Sequence, residues 1–255
     1  MEMRLDGKVA AITGGARGIG HATALAFAAE GAAVALCDIE LDGAEALARE
    51  IVSSGGRAIA MRVDVGDREA LRGFVERTAS EFGRLDIMFA NAGIAPAAPF
   101  LEHSEEDWRE ALRVNLTGVF LSCQAAAAQM VAQQRGGRLI ATASINAFRG
   151  VENLVGYNVT KAGVIELVKT MAVELARYGI TANAIAPAQI DTRLSRQMDD
   201  DALRRRVERI PLGRFGVPEE VARAAVFLAS GDADYVTGHT LAVDGGYLAG
   251  GLWSR

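Results

Sequence analysis

Short apolar runs alternate with amphipathic stretches along almost the whole chain. Residues 8–13 are nearly all apolar and long enough for a buried strand. A glycine-rich turn and an Ala-rich helical stretch follow, reaching Glu30 and closed by Gly31. Residues 32–37 form a second apolar run ending in Asp38, ahead of helix-like residues 42–53 and a Gly55-Gly56 turn. The pattern then predicts a strand over 58–63 ending in Asp64, a helix over 67–82 and a fourth strand over 85–90. A long helix is predicted over 105–134, interrupted near Asn115 and Gly118, then a strand over 138–142 ending near Ser144. In the helix predicted over 157–177, Val164, Leu167, Val168, Met171 and Leu175 recur at three- and four-residue steps. Residues 180–186 read as a strand halted by Pro187, 218–229 as a helix and 240–243 as a last strand.

Regular strand–helix alternation is the pattern of an α/β fold, a parallel, doubly wound sheet with right-handed crossovers and helices on both faces. No Pro- or Ser-rich linker, repeat or low-complexity segment divides residues 1–255, so one domain is expected. The 188–216 region has no strand pattern and is the expected substrate loop. Its Asp199-Asp200-Asp201 and Arg204-Arg205-Arg206 runs suit a solvated helix.

Composition narrows the function classes. Half of the 255 residues are hydrophobic, enough for a sizeable core, and the net charge of −5 argues against a nucleic-acid surface. No uninterrupted apolar run reaches the roughly 18 residues of a membrane span. The N-terminus carries charges where a signal peptide needs an apolar core. A cytoplasmic protein that binds neither membrane nor nucleic acid is expected. Cys37 and Cys123 lack ligand-like spacing, and His21, His103 and His239 are scattered, so no metal site is expected.

Two stretches carry candidate chemistry. Gly14, Gly18 and Gly20 are spaced G-x-x-x-G-x-G between the first strand and first helix. A helix N-terminus offers free N–H groups to a pyrophosphate, and glycines let the backbone approach it closely. Asp38, 18 positions after Gly20 (38 − 20), ends the second strand, near the spacing of a ribose-binding acid. Its carboxylate would repel a 2′-phosphate, which favours NAD over NADP. Arg17 in the glycine turn is the opposing signal, but no second basic residue follows Asp38.

Tyr157 and Lys161 are the second stretch, neighbours at i, i+4 on a helix. A free tyrosine titrates near ~10, so a working base needs its pKa lowered by roughly three units, about 4 kcal/mol. One positive charge at ~4 Å supplies about that much at an effective dielectric of ~20. Taken alone, the pair also fits an ordinary solvated helix face.

With these pieces in order, the chain resembles the short-chain dehydrogenase/reductase family over essentially its full length. The matching motifs are Thr13-Gly14-x-x-x-Gly18-Ile19-Gly20, Asp64-Val65, Asn91-Ala92-Gly93, Asn115, Ser144, Tyr157-x-x-x-Lys161 and Val243-Asp244-Gly245-Gly246. The resemblance implies a nicotinamide-dependent oxidoreductase on a seven-stranded Rossmann-type sheet, assembled as a homotetramer. It implies Tyr157 as general base in oxidation, Ser144 as hydrogen-bond donor to the substrate oxygen, and Lys161 as the group that lowers the Tyr157 pKa and binds the nicotinamide ribose. Asn115 would help to hold a proton-relaying water. Asp64 and Val65 would meet the adenine, and Asn91, Ala92 and Gly93 would pass the ribose. Pro187, Ile190 and Thr192 would flank the nicotinamide. One departure stands out: the family usually has Pro-Gly after the sixth strand, where this chain has Pro187-Ala188.

The segments beyond the strand ends, 94–98, 145–154 and 188–200, should line the substrate pocket. Asn146, Arg149, Glu152, Asn153, Gln189 and Arg193 make them polar, with few aromatics. That suits a sugar or polyol, with oxidation of an aldose to its lactone the leading reaction. Arg149 and Arg193 raise a narrower option, an anionic sugar held through a guanidinium fork; both could equally be surface residues. The alternatives are a 3-oxoacyl-thioester reductase using NADPH and a non-enzymatic nucleotide-binding regulatory protein. Leu252 and Trp253 extend past the last motif, to dock on a neighbouring subunit or to fray.

Overall fold

The computed structural model describes residues 3–191 and 200–250. Seven parallel strands form one sheet in the order β3-β2-β1-β4-β5-β6-β7. They are β1 (Val9–Thr13), β2 (Ala33–Asp38), β3 (Arg57–Arg62), β4 (Ile87–Ala90), β5 (Gly137–Thr142), β6 (Ile180–Pro187) and β7 (Thr240–Val243). The helices are α1 (Gly18–Ala29), α2 (Leu41–Ser53), α3 (Arg68–Phe82), α4 (Glu105–Leu112), α5 (Gly118–Gln133), α6 (Val155–Leu175), α7 (Asp200–Val207) and α8 (Pro218–Ala229). Strand order reverses between β1 and β4, opening the crevice above their carboxyl ends where α/β sheets take ligands.

Both faces of the sheet are covered, which explains why the strands read as continuous apolar runs rather than alternating ones. Within β4, Met88 points to a core built with Leu71, Phe74, Met130 and Val168, while Ile87 and Phe89 point to the opposite core with Phe27, Leu36, Leu47 and Val226. β4 starts at Ile87, not at 85: the Leu85 N–H and carbonyl are both taken by the Gln133 side-chain amide, and the Asp86 side chain serves the strand's entry. Its carboxylate accepts the Val9 N–H at 2.9 Å and pairs with Arg84.

The interruption expected near Asn115 is a single π-turn, Arg113–Thr117, joining α4 to α5 in one helical run. Gly118 donates its N–H to the Arg113 carbonyl, five residues back (118 − 113). The run 105–133 is long and apolar enough by composition to cross a bilayer, but more than half of its apolar window is buried within the fold. It is a core helix.

Candidate active site

The carboxyl ends of β1, β4 and β5 hold three turns together through side chains. Thr13, last in β1, accepts the N–H groups of Asn91 at 3.0 Å and Ala92 at 3.1 Å through its hydroxyl. Asn91 donates its amide to the Thr13 and Gly14 carbonyls and accepts from the Thr142 hydroxyl. Asn91 and Ala92 therefore brace the crevice floor. Gly93 borders the site itself: a Cβ there would lie 3.2 Å from Asn115 Oδ1 and 3.6 Å from Lys161 Nζ.

Ser144 follows β5 and caps a short 3₁₀ turn, accepting the Asn146 N–H at 3.2 Å. Its hydroxyl stands close enough to the Tyr157 phenol to favour the ionised form. One turn along α6 from Tyr157, Lys161 is 2 % exposed, and its Nζ donates to the Thr142 carbonyl at 2.6 Å. The ammonium lies 5.5 Å from the Tyr157 ring centre. Asn115, fully buried, spends its amide on Ile94, accepting the N–H and donating to the carbonyl at 2.8 Å each; it also reaches Thr160 at 3.3 Å.

The electrostatics correct one expectation. Burial raises the Tyr157 pKa, and the nearby Ser144 hydroxyl only partly offsets it. Burial also pushes Lys161 down, to about 8. A lysine beside the ring does not by itself create a phenolate here, because desolvation penalises both charges. A serine, a tyrosine and a buried lysine converge in one crevice.

Residues 14–248 match the family profile described as enoyl-(acyl carrier protein) reductase. The 3-oxoacyl-[acyl-carrier-protein] reductase FabG of Thermotoga maritima is 41 % identical over 246 residues, 96 % of this chain and 100 % of that protein. The L-rhamnose 1-dehydrogenase (NAD(P)(+)) of a Sphingomonas species is 42 % identical, over 95 % and 96 % of the two chains. A short-chain type dehydrogenase/reductase from Mycobacterium marinum superposes with a TM-score of 0.93 at 39 % identity, over 98 % of each chain. A gluconate 5-dehydrogenase from Burkholderia cenocepacia, solved with NADP and tartrate, gives the same TM-score at 38 % identity, also over 98 % of each chain. The chain belongs to the short-chain dehydrogenase/reductase family.

The family binds a nicotinamide cofactor, and the residues of this short-chain dehydrogenase/reductase fit one. Gly14, just after β1, and Gly18, the first residue of α1, take φ of +67° and +57°. A Cβ on Gly20 would lie 2.0 Å from the Gly14 carbonyl oxygen. Ile19 lies in the first turn of α1, which has no side-chain cap and no acidic residue there, leaving a positive helix end for an anion. Asp38 ends β2, its carboxylate accepting the Ala16 and Glu40 N–H groups at 3.0 Å each. Asp64 is engaged by a residue the motifs did not reveal. Arg113 donates to both Asp64 oxygens at 2.9 Å and to both Glu110 oxygens, holding Asp64 below the usual carboxylate range. Val65, next in the turn, is buried and packs on Gly118. Pro187 closes β6, and Ala188 takes no positive φ, so alanine in place of the family's glycine costs no strain. Ile190 is buried and bridges to Gly216.

The expected substrate residues divide. Asn146 donates to Asn158 Oδ1 at 3.0 Å, and Asn158 donates to the Val151 carbonyl, fixing the loop beside Ser144. Arg149 is exposed and stacks on the Tyr247 ring at 4.8 Å. Asn153 takes φ of +62°, and its carbonyl accepts the Ala98 N–H, tying two pocket loops together. Gln189 stands apart. It accepts from Arg206 and lines a separate hollow of about 310 Å³ with Ile210, Leu212 and Asp244, which Ser144, Tyr157 and Lys161 do not line. Thr192, Arg193, Leu252 and Trp253 lie outside the described residues. No cluster of metal-ligating side chains occurs among the described residues.

Proposed function

We propose that the protein is an NAD-dependent dehydrogenase that oxidises a hydroxyl of a small polar substrate, foremost an aldose at its anomeric carbon, giving the lactone. The observation that carries the cofactor choice is Asp38, whose carboxylate is held at the end of β2 by two backbone N–H groups. A fixed anion there suits a ribose diol and opposes a 2′-phosphate. The sugar reading rests on the polar loop around Asn146 and Arg149 and on the similarity to a rhamnose 1-dehydrogenase.

When bound, the oxidised nicotinamide supplies the acceptor for the hydride leaving the substrate carbon, and a positive charge near the phenol. Tyr157, ionised once that charge adds to the Lys161 ammonium, would take the hydroxyl proton as the phenolate, and Ser144 would donate a hydrogen bond to the same oxygen while its charge develops. Lys161 holds the site positive, anchored by Thr142. Asn115 fixes the Ile94 segment opposite. The same reading takes the protein as a homotetramer; Phe120 on α5 and Val159 and Val173 on α6 are exposed apolar residues that partner subunits would cover.

Similarity to 3-oxoacyl-thioester reductases favours a second reading, reduction with NADPH. One screen separates them: reduction of NAD and NADP measured against neutral and acidic sugars, polyols and hydroxyacyl thioesters. Turnover of aldoses with NAD supports the proposal. Activity confined to acyl thioesters with NADP(H) would overturn it.

A further inference from the structure

At the adenosine end of the crevice, Arg17 and Glu40 form an ion pair from the glycine turn to the residues just beyond β2. Arg17 is the residue before α1, in extended backbone, and is the one basic residue of the glycine turn, across from Asp38 and Glu40 at the end of β2. Glu40 also donates its backbone N–H to Asp38 Oδ1, so its position is tied to the ribose acid. The guanidinium that opposed the NAD reading is thus already engaged.

We propose that Glu40 is a second determinant of cofactor choice, acting by occupying Arg17. This rests on the NAD reading but makes a separate claim. Asp38 repels a 2′-phosphate directly, whereas Glu40 removes its one compensating partner in the turn. An incoming phosphate must displace the Glu40 carboxylate from Arg17 and then sit beside two acids. The pair is about half exposed and so weak in itself. Displacing it and removing the added like-charge repulsion together correspond to roughly a tenfold change in binding a dianion.

The test is calorimetric binding of 2′,5′-ADP and 5′-ADP to the full chain without cofactor. In Glu40→Gln, the ratio of 2′,5′-ADP to 5′-ADP affinity should rise about tenfold over wild type. In the Arg17→Gln background the same change should raise it clearly less, roughly two- to threefold, because only the direct like-charge repulsion is then relieved. An unchanged ratio in Glu40→Gln, or an equal gain with and without Arg17, overturns the proposal. The NAD reading is tested separately by the wild-type ratio: tighter 2′,5′-ADP than 5′-ADP there would sink it, while the Glu40 effect is still read from variant against wild type.

Discussion

Lys161 should cost the fold stability in proportion to its burial. It is 2 % exposed, and burial lowers its pKa from 10.5 to about 8. That difference corresponds to about 3 kcal/mol at pH values where both the folded and unfolded chains keep the proton. Between pH about 8 and 10.5 the unfolded chain holds a proton that the folded chain has released, so this cost is relieved as pH rises. In Lys161→Met the cost disappears, while the charge-assisted bond to the Thr142 carbonyl, about 1.5–3 kcal/mol, is lost with it. At pH 7 the variant should therefore be as stable as wild type or up to about 2 kcal/mol more stable, although its dehydrogenase activity is gone. From pH 7 to 9.5 wild type should gain about 2 kcal/mol relative to the variant. The comparison must be a difference, because buried Cys37 and Cys123 and the Tyr157 phenol are raised and destabilise both proteins at high pH. Urea unfolding of the two cofactor-free proteins at the two pH values measures it. A variant more than about 1 kcal/mol less stable at pH 7, or a gap that does not change with pH, would refute the reasoning.

Tyr157→Phe should lower kcat by roughly 10³-fold while NADH fluorescence titration still shows binding; near-normal turnover would remove the phenol from the mechanism. Gly20→Ala places a methyl 2.0 Å from the Gly14 carbonyl oxygen, so a loss above about 3 kcal/mol or failure to fold is expected in thermal melts. Arg149→Ala should lower kcat/KM more on acidic than on neutral sugars if its guanidinium meets a substrate anion. Equal loss on both, or none, would assign it to the surface.

The glycine turn, Asp38 and the Tyr157–Lys161 pair were legible because each depends on local spacing, while Ser144 came with the family resemblance. A strand, a tight turn and a helix deliver Gly14, Gly18 and Gly20 together, and one helical turn separates Tyr157 from Lys161. The partners that tune them were hidden. Arg113 lies 49 residues from Asp64, and Glu40 lies 23 from Arg17. An arginine beside an acid in sequence suggests many pairings, and only the packing of the turn after β3 on the π-turn selects one. The hollow that Gln189 lines was hidden for the same reason, since it depends on β7 and residues 210–216.

By itself the sequence determined the order of strands and helices, the two-sided burial of the sheet and which residues stand at the strand ends. Those follow from periodicity and turn chemistry, which act over a few residues. The tertiary structure alone decided the electrostatic state of the site. Whether Tyr157 is a ready base depends on how much water the fold removes from it and from Lys161, and desolvation is a property of the packed molecule, invisible in any local spacing.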